Sequence, residues 1–120
     1  MILRTMKQKA IALSNQYPFV VITGPRQSGK STLAKDAFPD YKKVSLEDLD
    51  NRAFAENDPR GFISTYPDRT IIDEVQRVPS LLSYLQTHSD DAGKDGMYIL
   101  TGSQNLQLME AVDQSLAGRV

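Results

Sequence analysis

The sequence predicts an α/β fold in which helices cover both faces of a mainly parallel sheet. Hydrophobic periodicity switches repeatedly between that of a strand and that of a helix, without internal repeats, linkers or low-complexity segments. A short continuous apolar run, typical of a parallel strand buried on both faces, opens this alternation. A length of 120 residues, 40% of them hydrophobic and 24% charged, suits a single globular domain.

Residues 1–17 are predicted to form an amphipathic helix and its lead-in to the first strand. Apolar residues recur about one helical turn apart from Ile2 to Leu13, with basic residues between them. The helix is therefore expected to span residues 2–15 and to end before Pro18.

The rest of the chain continues the alternation through apolar runs separated by caps and turn residues. An apolar run at 19–23 leads into a glycine-rich loop, and Pro39 stops the helix that follows that loop. Asp58 followed by Pro59 marks the cap and first position of a new helical turn. The predicted elements are, in order, a strand at 19–23, a helix at 30–37, a strand at 43–46, a polar helical stretch through Leu49, Ala53 and Phe54, the turn at Asp58, a strand at 70–74, a helix at 80–88 with Leu81, Leu82 and Leu85 inward, and a strand at 97–101 after a loop with Gly93 and Gly96.

Composition and charge narrow the environment of the chain. Because no apolar run approaches the length of a membrane span and the first residues lack a secretory signal, a cytoplasmic protein outside the membrane is expected. The absence of cysteine excludes disulfides and thiolate metal sites. Residues 1–43 carry eight basic and two acidic side chains, and the remainder carries six and thirteen. The basic half of the chain is compatible with a nucleic-acid partner. Its basic residues are scattered, however, and no aromatic residues alternate with them, so they are better explained as the solvent-exposed faces of helices.

The motif with the clearest chemistry lies between the first strand and the next helix. Residues 24–32 read GPRQSGKST, which fits the G-x-x-x-x-G-K-[ST] pattern (Walker A) of loops that cradle nucleotide phosphates. Glycines let backbone N–H groups close around a polyphosphate, Lys30 adds a positive charge, and the Ser31 hydroxyl is a ligand for Mg²⁺. The residues expected to bind nucleotide are Gly24, Pro25, Arg26, Gln27, Ser28, Gly29, Lys30, Ser31 and Thr32.

An acidic pair, Asp73 and Glu74, follows the apolar pair at 71–72 at the carboxyl end of a predicted strand, where open α/β sheets bind ligands. Asp73 is expected to hold Mg²⁺ together with Ser31, directly or through water. Glu74 lies one residue later on the pleat and is expected to orient and deprotonate the water that attacks the γ-phosphate. A lone Asp-Glu dipeptide is more often a solvated strand end, but its place after the phosphate loop and an apolar strand favours the functional interpretation.

Four segments carry a resemblance to a known family: GPRQSGKSTL, IIDEVQRVP, ILTGSQ and the terminal SLAGRV. Together they resemble the AAA-type ATPase domain of bacterial and archaeal predicted ATPases that carry a C-terminal domain of unknown function. The resemblance covers essentially the whole chain. It implies a P-loop NTPase three-layer sandwich, in which a sensor strand, here 97–101, separates the loop strand from the acid-pair strand. It also implies ATP and Mg²⁺ as ligands, whereas the residues alone do not separate ATP from GTP.

The resemblance adds expectations for single residues. Ser103 is the first choice for a sensor that touches the γ-phosphate or the attacking water, with Thr101, Gln104 and Asn105 behind it; a helix cap at Ser103 or Gln104 stays an open alternative. Arg119 is expected to neutralise charge on the transferred phosphoryl group, with a surface ion pair as the alternative. The expected catalytic residues are Glu74, Lys30, Ser103 and Arg119, and the expected metal ligands are Ser31 and Asp73.

Proteins that resemble this chain continue past Ala-Gly-Arg-Val into a further apolar strand beside the loop strand. The chain is therefore expected to be an N-terminal fragment of a longer protein, truncated before the last strand. An unpaired edge on strand 19–23 would be a liability, so another chain or a rearranged terminus is expected to cover it.

The sequence thus predicts Mg-dependent ATP binding and hydrolysis by a domain that acts as a conformational switch for an absent C-terminal domain or a protein partner. The isolated fragment is expected to be weakly active or inactive. Gln76 and Arg77, which follow the acidic pair, either relay nucleotide state to a partner or form only a loop that enters the next helix. Two alternative functions stay open: a non-hydrolysing nucleotide-binding interaction module, and a nucleic-acid-associated module that uses the basic half.

Overall fold

The structure is a computed structural model that describes residues 2–24, 29–102 and 117–119. Within these residues, helices and strands alternate in the predicted order. The elements are α1 (Ile2–Ser14), β1 (Phe19–Thr23), α2 (Lys30–Ala37), β2 (Lys42–Ser45), α3 (Leu49–Asn57), α4 (Pro59–Thr65), β3 (Thr70–Asp73), a 3-10 turn (Val75–Arg77), α5 (Leu81–Ala92), β4 (Tyr98–Gly102) and β5 (Ala117–Arg119).

The central strands β1, β3 and β4 are buried on both faces, because successive residues point to opposite sides of the sheet and helices cover each side. In β1, Phe19 and Val21 join the apolar cluster that packs against α3, α4 and α5. Val20 and Ile22 join the second cluster, which packs against α1 and α2. The predicted three-layer α/β arrangement is therefore confirmed.

The five described strands have the order β2-β3-β4-β1-β5, and each pair of neighbours is parallel. β4 lies between the loop strand β1 and the acid-pair strand β3, as the family resemblance implies. Its register places Thr101 opposite Ile22 of β1, one residue beyond the pairing of Leu100 with Ile72 of β3. The end of β4 therefore lies between the phosphate loop and the acidic pair.

The loop strand has a neighbour on its other side. β5 pairs in parallel with residues 19–21 of β1. Of the two ways in which this edge is expected to be covered, the structure shows the chain's own segment, because Ala117–Arg119 supplies the partner strand over these three residues. Such pairing satisfies backbone N–H and C=O groups that an open edge leaves exposed.

Several predicted boundaries shift by one residue, as at α1, β2 and β4, and the shifts at the ends of β3 and α5 have a local reason in the backbone. β3 ends at Asp73 because Glu74 adopts a left-handed conformation, with φ 56° and ψ 47°. α5 continues past the predicted end to Ala92, where Gly93 closes it at φ 62°. A left-handed glycine is a common residue at this position after a helix. In the described part of the chain, no helix has the length and apolar character needed to cross a membrane.

Candidate active site

The glycine-rich loop is anchored at both of its described ends. The Gly24 N–H donates to the Gly102 carbonyl at 3.3 Å, which ties the end of β1 to the end of β4. Gly29 precedes α2 at φ 83°, a left-handed conformation that glycine adopts without a Cβ penalty. Its carbonyl accepts the first α2 hydrogen bond, from the Leu33 N–H at 2.8 Å. Pro25, Arg26, Gln27 and Ser28 lie outside the described residues.

Lys30 reaches back from α2 to the end of β1. Its side chain is buried, with the residue 7% exposed, and Nζ donates to the Gly24 carbonyl at 2.9 Å. The same ammonium lies 3.9 Å from Oε1 of Glu74. A buried charge requires hydrogen bonds and an opposite charge, and these two contacts provide both. Lys30 thus connects the loop with the second acid of the pair.

Asp73 is the centre of a hydrogen-bond chain that joins three elements. It lies on the sheet face beneath α2, the same face as Ile71 two residues earlier. Its Oδ2 accepts from Ser31 Oγ at 2.8 Å, and its Oδ1 accepts from Thr101 Oγ1 at 2.8 Å. Because Asp73 is only 5% exposed, these bonds fix the carboxylate between the start of α2 and the end of β4.

The Ser31–Asp73 pair fits a magnesium ion. Adjacent oxygens in an octahedral Mg²⁺ shell, with ligands at about 2.1 Å, lie about 3.0 Å apart. The observed separation of Ser31 Oγ and Asp73 Oδ2 is 2.8 Å. Among the described residues, no group of three or more His, Cys, Asp or Glu forms an all-protein metal site. An ion here would therefore take its other ligands from phosphate and water, which suits Mg²⁺.

Lys43 belongs to the site although sequence reasoning missed it. Its Nζ lies 3.5 Å from Asp73 Oδ2, and its side chain is 39% exposed. The next residue, Val44, packs under α3, α4 and α5, so alternation places Lys43 on the face that carries Asp73. The alternation along β2 could have predicted the sheet face on which Lys43 lies, but the sequence did not show that β2 lies beside β3.

Glu74 leaves the sheet in a direction different from that of Asp73. Its backbone N–H donates to Thr101 Oγ1 at 3.2 Å, and its left-handed conformation turns the chain into the 3-10 turn. Its Oε2 accepts from Gln76 Nε2 at 2.5 Å, while Oε1 faces Lys30. A left-handed non-glycine residue costs about 1 kcal/mol, and such residues are concentrated at functional sites. The two carboxylates therefore have separate sets of partners, although Thr101 also contacts the Glu74 backbone.

Thr101 is the sensor candidate that the structure describes. Its hydroxyl donates to Asp73 and accepts from the Glu74 N–H, so it joins the two acids. Ser103, the first choice from the sequence, lies outside the described residues together with Gln104 and Asn105. The backbone of Arg119 pairs with Val21 through β5, and its side chain also lies outside the described part.

The described site combines the groups that phosphoryl transfer requires at the carboxyl edge of a parallel sheet. Lys30 supplies a cation for phosphate, and Ser31 with Asp73 supplies oxygen ligands for a metal. Glu74 supplies a second carboxylate within reach of the same lysine. The arrangement is chemically able to bind a polyphosphate and to activate water beside it.

The sequence is similar to one protein family and to two curated bacterial proteins. A family model described as "AAA domain" matches residues 16–120. Uncharacterised proteins of Mycobacterium bovis and Mycobacterium tuberculosis are each 33% identical over 105 residues, which cover 86% of this chain and 24% of each relative. The chain thus spans about a quarter of the length of these curated relatives.

Two solved structures share the fold. One is a DNA replication initiation factor, with a TM-score of 0.59 and 16% identity over 99% of this chain and 45% of the other. The second is C. elegans PCH-2, with a TM-score of 0.56 and 16% identity over 98% of this chain and 41% of the other. At this level of identity, the likeness concerns the fold alone.

Proposed function

We propose, on the premise that this chain belongs to the AAA domain family, that it binds ATP with Mg²⁺ and hydrolyses the bond between the β- and γ-phosphates. Membership supports a nucleotide-binding, ATPase-like function. The observation that carries the proposal is the hydrogen-bond chain Ser31–Asp73–Thr101, with Lys30 and Glu74 paired beside it.

Nucleotide binding is assigned to the loop and Lys30. The Lys30 ammonium donates to a neutral carbonyl, that of Gly24, and its separation of 3.9 Å from the Glu74 carboxylate exceeds hydrogen-bond distance. An ionised phosphate oxygen is a stronger acceptor than a neutral carbonyl, so a triphosphate draws the ammonium toward itself. The first N–H groups of α2 have no intrahelical partner and add further donors.

Ser31 and Asp73 are the residues that would hold Mg²⁺, which when bound neutralises charge on the β- and γ-phosphate oxygens. Ser31 donates its hydroxyl hydrogen to Asp73, and this hydrogen must turn away for the oxygen to serve as a ligand. Thr101 continues to hold Asp73 through the other carboxylate oxygen, Oδ1. Thr101 therefore holds Oδ1 of Asp73, while Oδ2, which also faces Lys43, is the oxygen that would contact the ion.

Glu74 is proposed as the general base of hydrolysis. It accepts a proton from water as the water oxygen attacks the γ-phosphorus, and the bond from that phosphorus to the bridging oxygen breaks. ADP and inorganic phosphate leave, and the proton passes from Glu74 to solvent. Lys30 stabilises the charge that develops on the phosphoryl oxygens. Ser103 and Arg119 stay proposals for contacts with the γ-phosphate.

The domain is proposed to act as a conformational switch. Gly24 and Glu74 are among the partners of Lys30 in the described state, and phosphate replaces at least one of these two contacts in the proposed bound state. The curated relatives extend far beyond the matched segment, which supports a further domain as the recipient of this change.

The test compares Lys30→Ala with Lys35→Ala in the full-length protein. Lys35 is an exposed cation on the same helix whose Nζ bonds the carbonyls of Pro39 and Tyr41, away from the loop. Lys30→Ala is expected to weaken MgATP binding by about 10-fold to 100-fold, the loss typical of a hydrogen bond to a charged group. Lys35→Ala is expected to bind within about twofold of wild type.

Calorimetry gives the affinity, and phosphate release gives the turnover. Equal losses in the two variants would contradict the assignment of Lys30. Tight binding by the wild-type protein without phosphate release under any condition would support the non-hydrolysing alternative instead.

A further inference from the structure

The Glu74 carboxylate is held by a neighbour that the proposed reaction does not yet use. Gln76 donates from Nε2 to Glu74 Oε2 at 2.5 Å, within the 3-10 turn that follows the acidic pair. The chemistry of the partner fixes the orientation of this amide, because a carboxylate accepts hydrogen bonds and has none to donate. The amide nitrogen must therefore face Glu74.

The backbone that carries Gln76 is firmly placed. Val75 and Val78, on either side of it, are both buried in the cluster under α3, α4 and α5. The Arg77 N–H donates to the Glu74 carbonyl at 3.0 Å and closes the turn. The amide thus contacts Glu74 from a fixed platform rather than from an exposed loop.

Two contacts compete to orient the carboxylate, and their distances decide between them. Gln76 is within hydrogen-bond distance of one oxygen, whereas Lys30 Nζ is 3.9 Å from the other. A bound triphosphate draws Lys30 away, but it does not compete for the amide hydrogen that Glu74 accepts. The Gln76 bond therefore persists when the lysine changes partner.

The oxygen of the Gln76 amide is in a less favourable environment than its nitrogen. Gln76 Oε1 is buried and has no hydrogen-bond partner among the described residues. Buried polar atoms without a partner are rare in native proteins, and each calls for a reason. An apolar side chain of the same length would fill the space without this penalty. The bond to Glu74 is the feature of Gln76 that such a side chain lacks.

We propose that Gln76 is a positioning residue that holds the Glu74 carboxylate in the orientation needed to take a proton from the attacking water. This inference rests on the proposed ATPase function. It assigns no contact between Gln76 and nucleotide, so Gln76 acts on turnover and not on affinity.

The test uses Gln76→Met and Gln76→Glu in the full-length protein. Methionine has a similar volume and no donor, and glutamate has a similar shape but places a second carboxylate against Glu74. Both are expected to lower kcat for MgATP about 10-fold to 100-fold, as for a misplaced catalytic group. The ATP dissociation constant is expected to change less than about twofold. The methionine variant loses a hydrogen bond to a charged carboxylate as well as an unpaired buried acceptor, so its unfolding temperature is measured beside kcat, and kcat is compared at a temperature at which both proteins are folded.

Arg77→Met is the matched control, because Arg77 is exposed on the same turn. It is expected to leave kcat unchanged. A cycle with Glu74→Gln separates positioning from a general structural role: once Glu74 is replaced, adding Gln76→Met is expected to cause no further loss of kcat.

The outcomes distinguish the two proposals. If wild-type protein hydrolyses ATP and both Gln76 variants keep kcat within about twofold, the positioning role is wrong. An additive loss in the Glu74→Gln background, or a loss of affinity as large as the loss of kcat, also overturns it. If the wild-type protein neither binds nor hydrolyses ATP, the proposed function fails first and the positioning role falls with it.

Discussion

Replacing Thr101 with valine removes the hydroxyl that joins the two acidic residues while nearly conserving the size of the side chain. That hydroxyl donates to Asp73 Oδ1 at 2.8 Å and accepts from the Glu74 N–H at 3.2 Å. Thr101 is 1% exposed, so water has little access to replace either bond. Thr101→Val is therefore expected to destabilise the fold and to loosen both acids.

The magnitude follows from the two bonds. A hydrogen bond to a charged carboxylate contributes about 1.5–3 kcal/mol, and a buried N–H left without an acceptor costs at least about 1 kcal/mol. Together they give a loss of about 3 kcal/mol in the free energy of unfolding. Thr101→Ser keeps the hydroxyl and loses one methyl group, at a cost of about 1 kcal/mol. The difference between the variants, about 2 kcal/mol, isolates the hydroxyl.

Urea and thermal unfolding measure these losses. For a domain of this size, 1 kcal/mol corresponds to about 4 °C, so the expected decreases in Tm are about 12 °C for the valine variant and about 4 °C for the serine variant. The reasoning is refuted if the valine variant unfolds within about 2 °C of the serine variant. Such a result would mean that the hydroxyl contributes little to the fold.

Three further predictions concern the metal site, the loop and the response to pH. Lys43→Gln is expected to lower the Mg²⁺ concentration needed for half-maximal ATP binding by up to about fivefold, because it removes a cation from beside Asp73. The cation is partly exposed, so its interaction is worth at most about 1 kcal/mol. Lys42→Gln, one residue away on the opposite side of the strand, is the control, and equal effects of the two variants would contradict an influence of Lys43 on the metal site. Gly29→Ala and Gly93→Ala are each expected to cost about 1 kcal/mol in unfolding experiments, because both glycines have positive φ and a methyl group added at either one meets no atom of the described residues within 4 Å. Only Gly29→Ala is expected to weaken ATP binding, and similar affinities of the two variants would count against the loop assignment. Burial raises the pKa of Tyr98, so the folded state keeps a phenolic proton that the unfolded chain loses near pH 10. The free energy of unfolding should therefore fall as the pH rises above about 10, and the fall should be smaller for Tyr98→Phe. An equal fall in the wild-type protein and the variant would contradict this role of Tyr98.

Much of the fold was readable from the sequence because local patterns and tertiary structure agree. The apolar run of β1 leads into a loop whose Gly-Lys pair marks the start of α2, and both boundaries match the structure. Asp58 caps α4 through its side chain, with Pro59 at the first position, as the dipeptide indicates. The place of β4 between β1 and β3 came from the family resemblance, because spacing along a chain does not fix the order of parallel strands.

The parts that sequence reasoning missed depend on contacts between distant segments. β5 is a three-residue strand of Ala, Gly and Arg, without the apolar run that marks a buried strand, and only its pairing with β1 reveals it. The left-handed conformation of Glu74 has no sequence signal, because its N–H is fixed by Thr101, which lies 27 residues away. Gln76 appeared in the sequence as a relay or a plain loop residue, and its bond to Glu74 became visible only in the folded turn.

The central claim is that one site binds ATP through Lys30 and cleaves it through Glu74. The most direct measurement is a single-turnover assay with γ-labelled ATP on full-length wild-type protein and Glu74→Gln. The Glu74→Gln variant is expected to bind MgATP within a few-fold of wild type and to release phosphate at least about 100-fold more slowly, the low end of the contribution of a general base. Phosphate release by Glu74→Gln at the wild-type rate would contradict the claim.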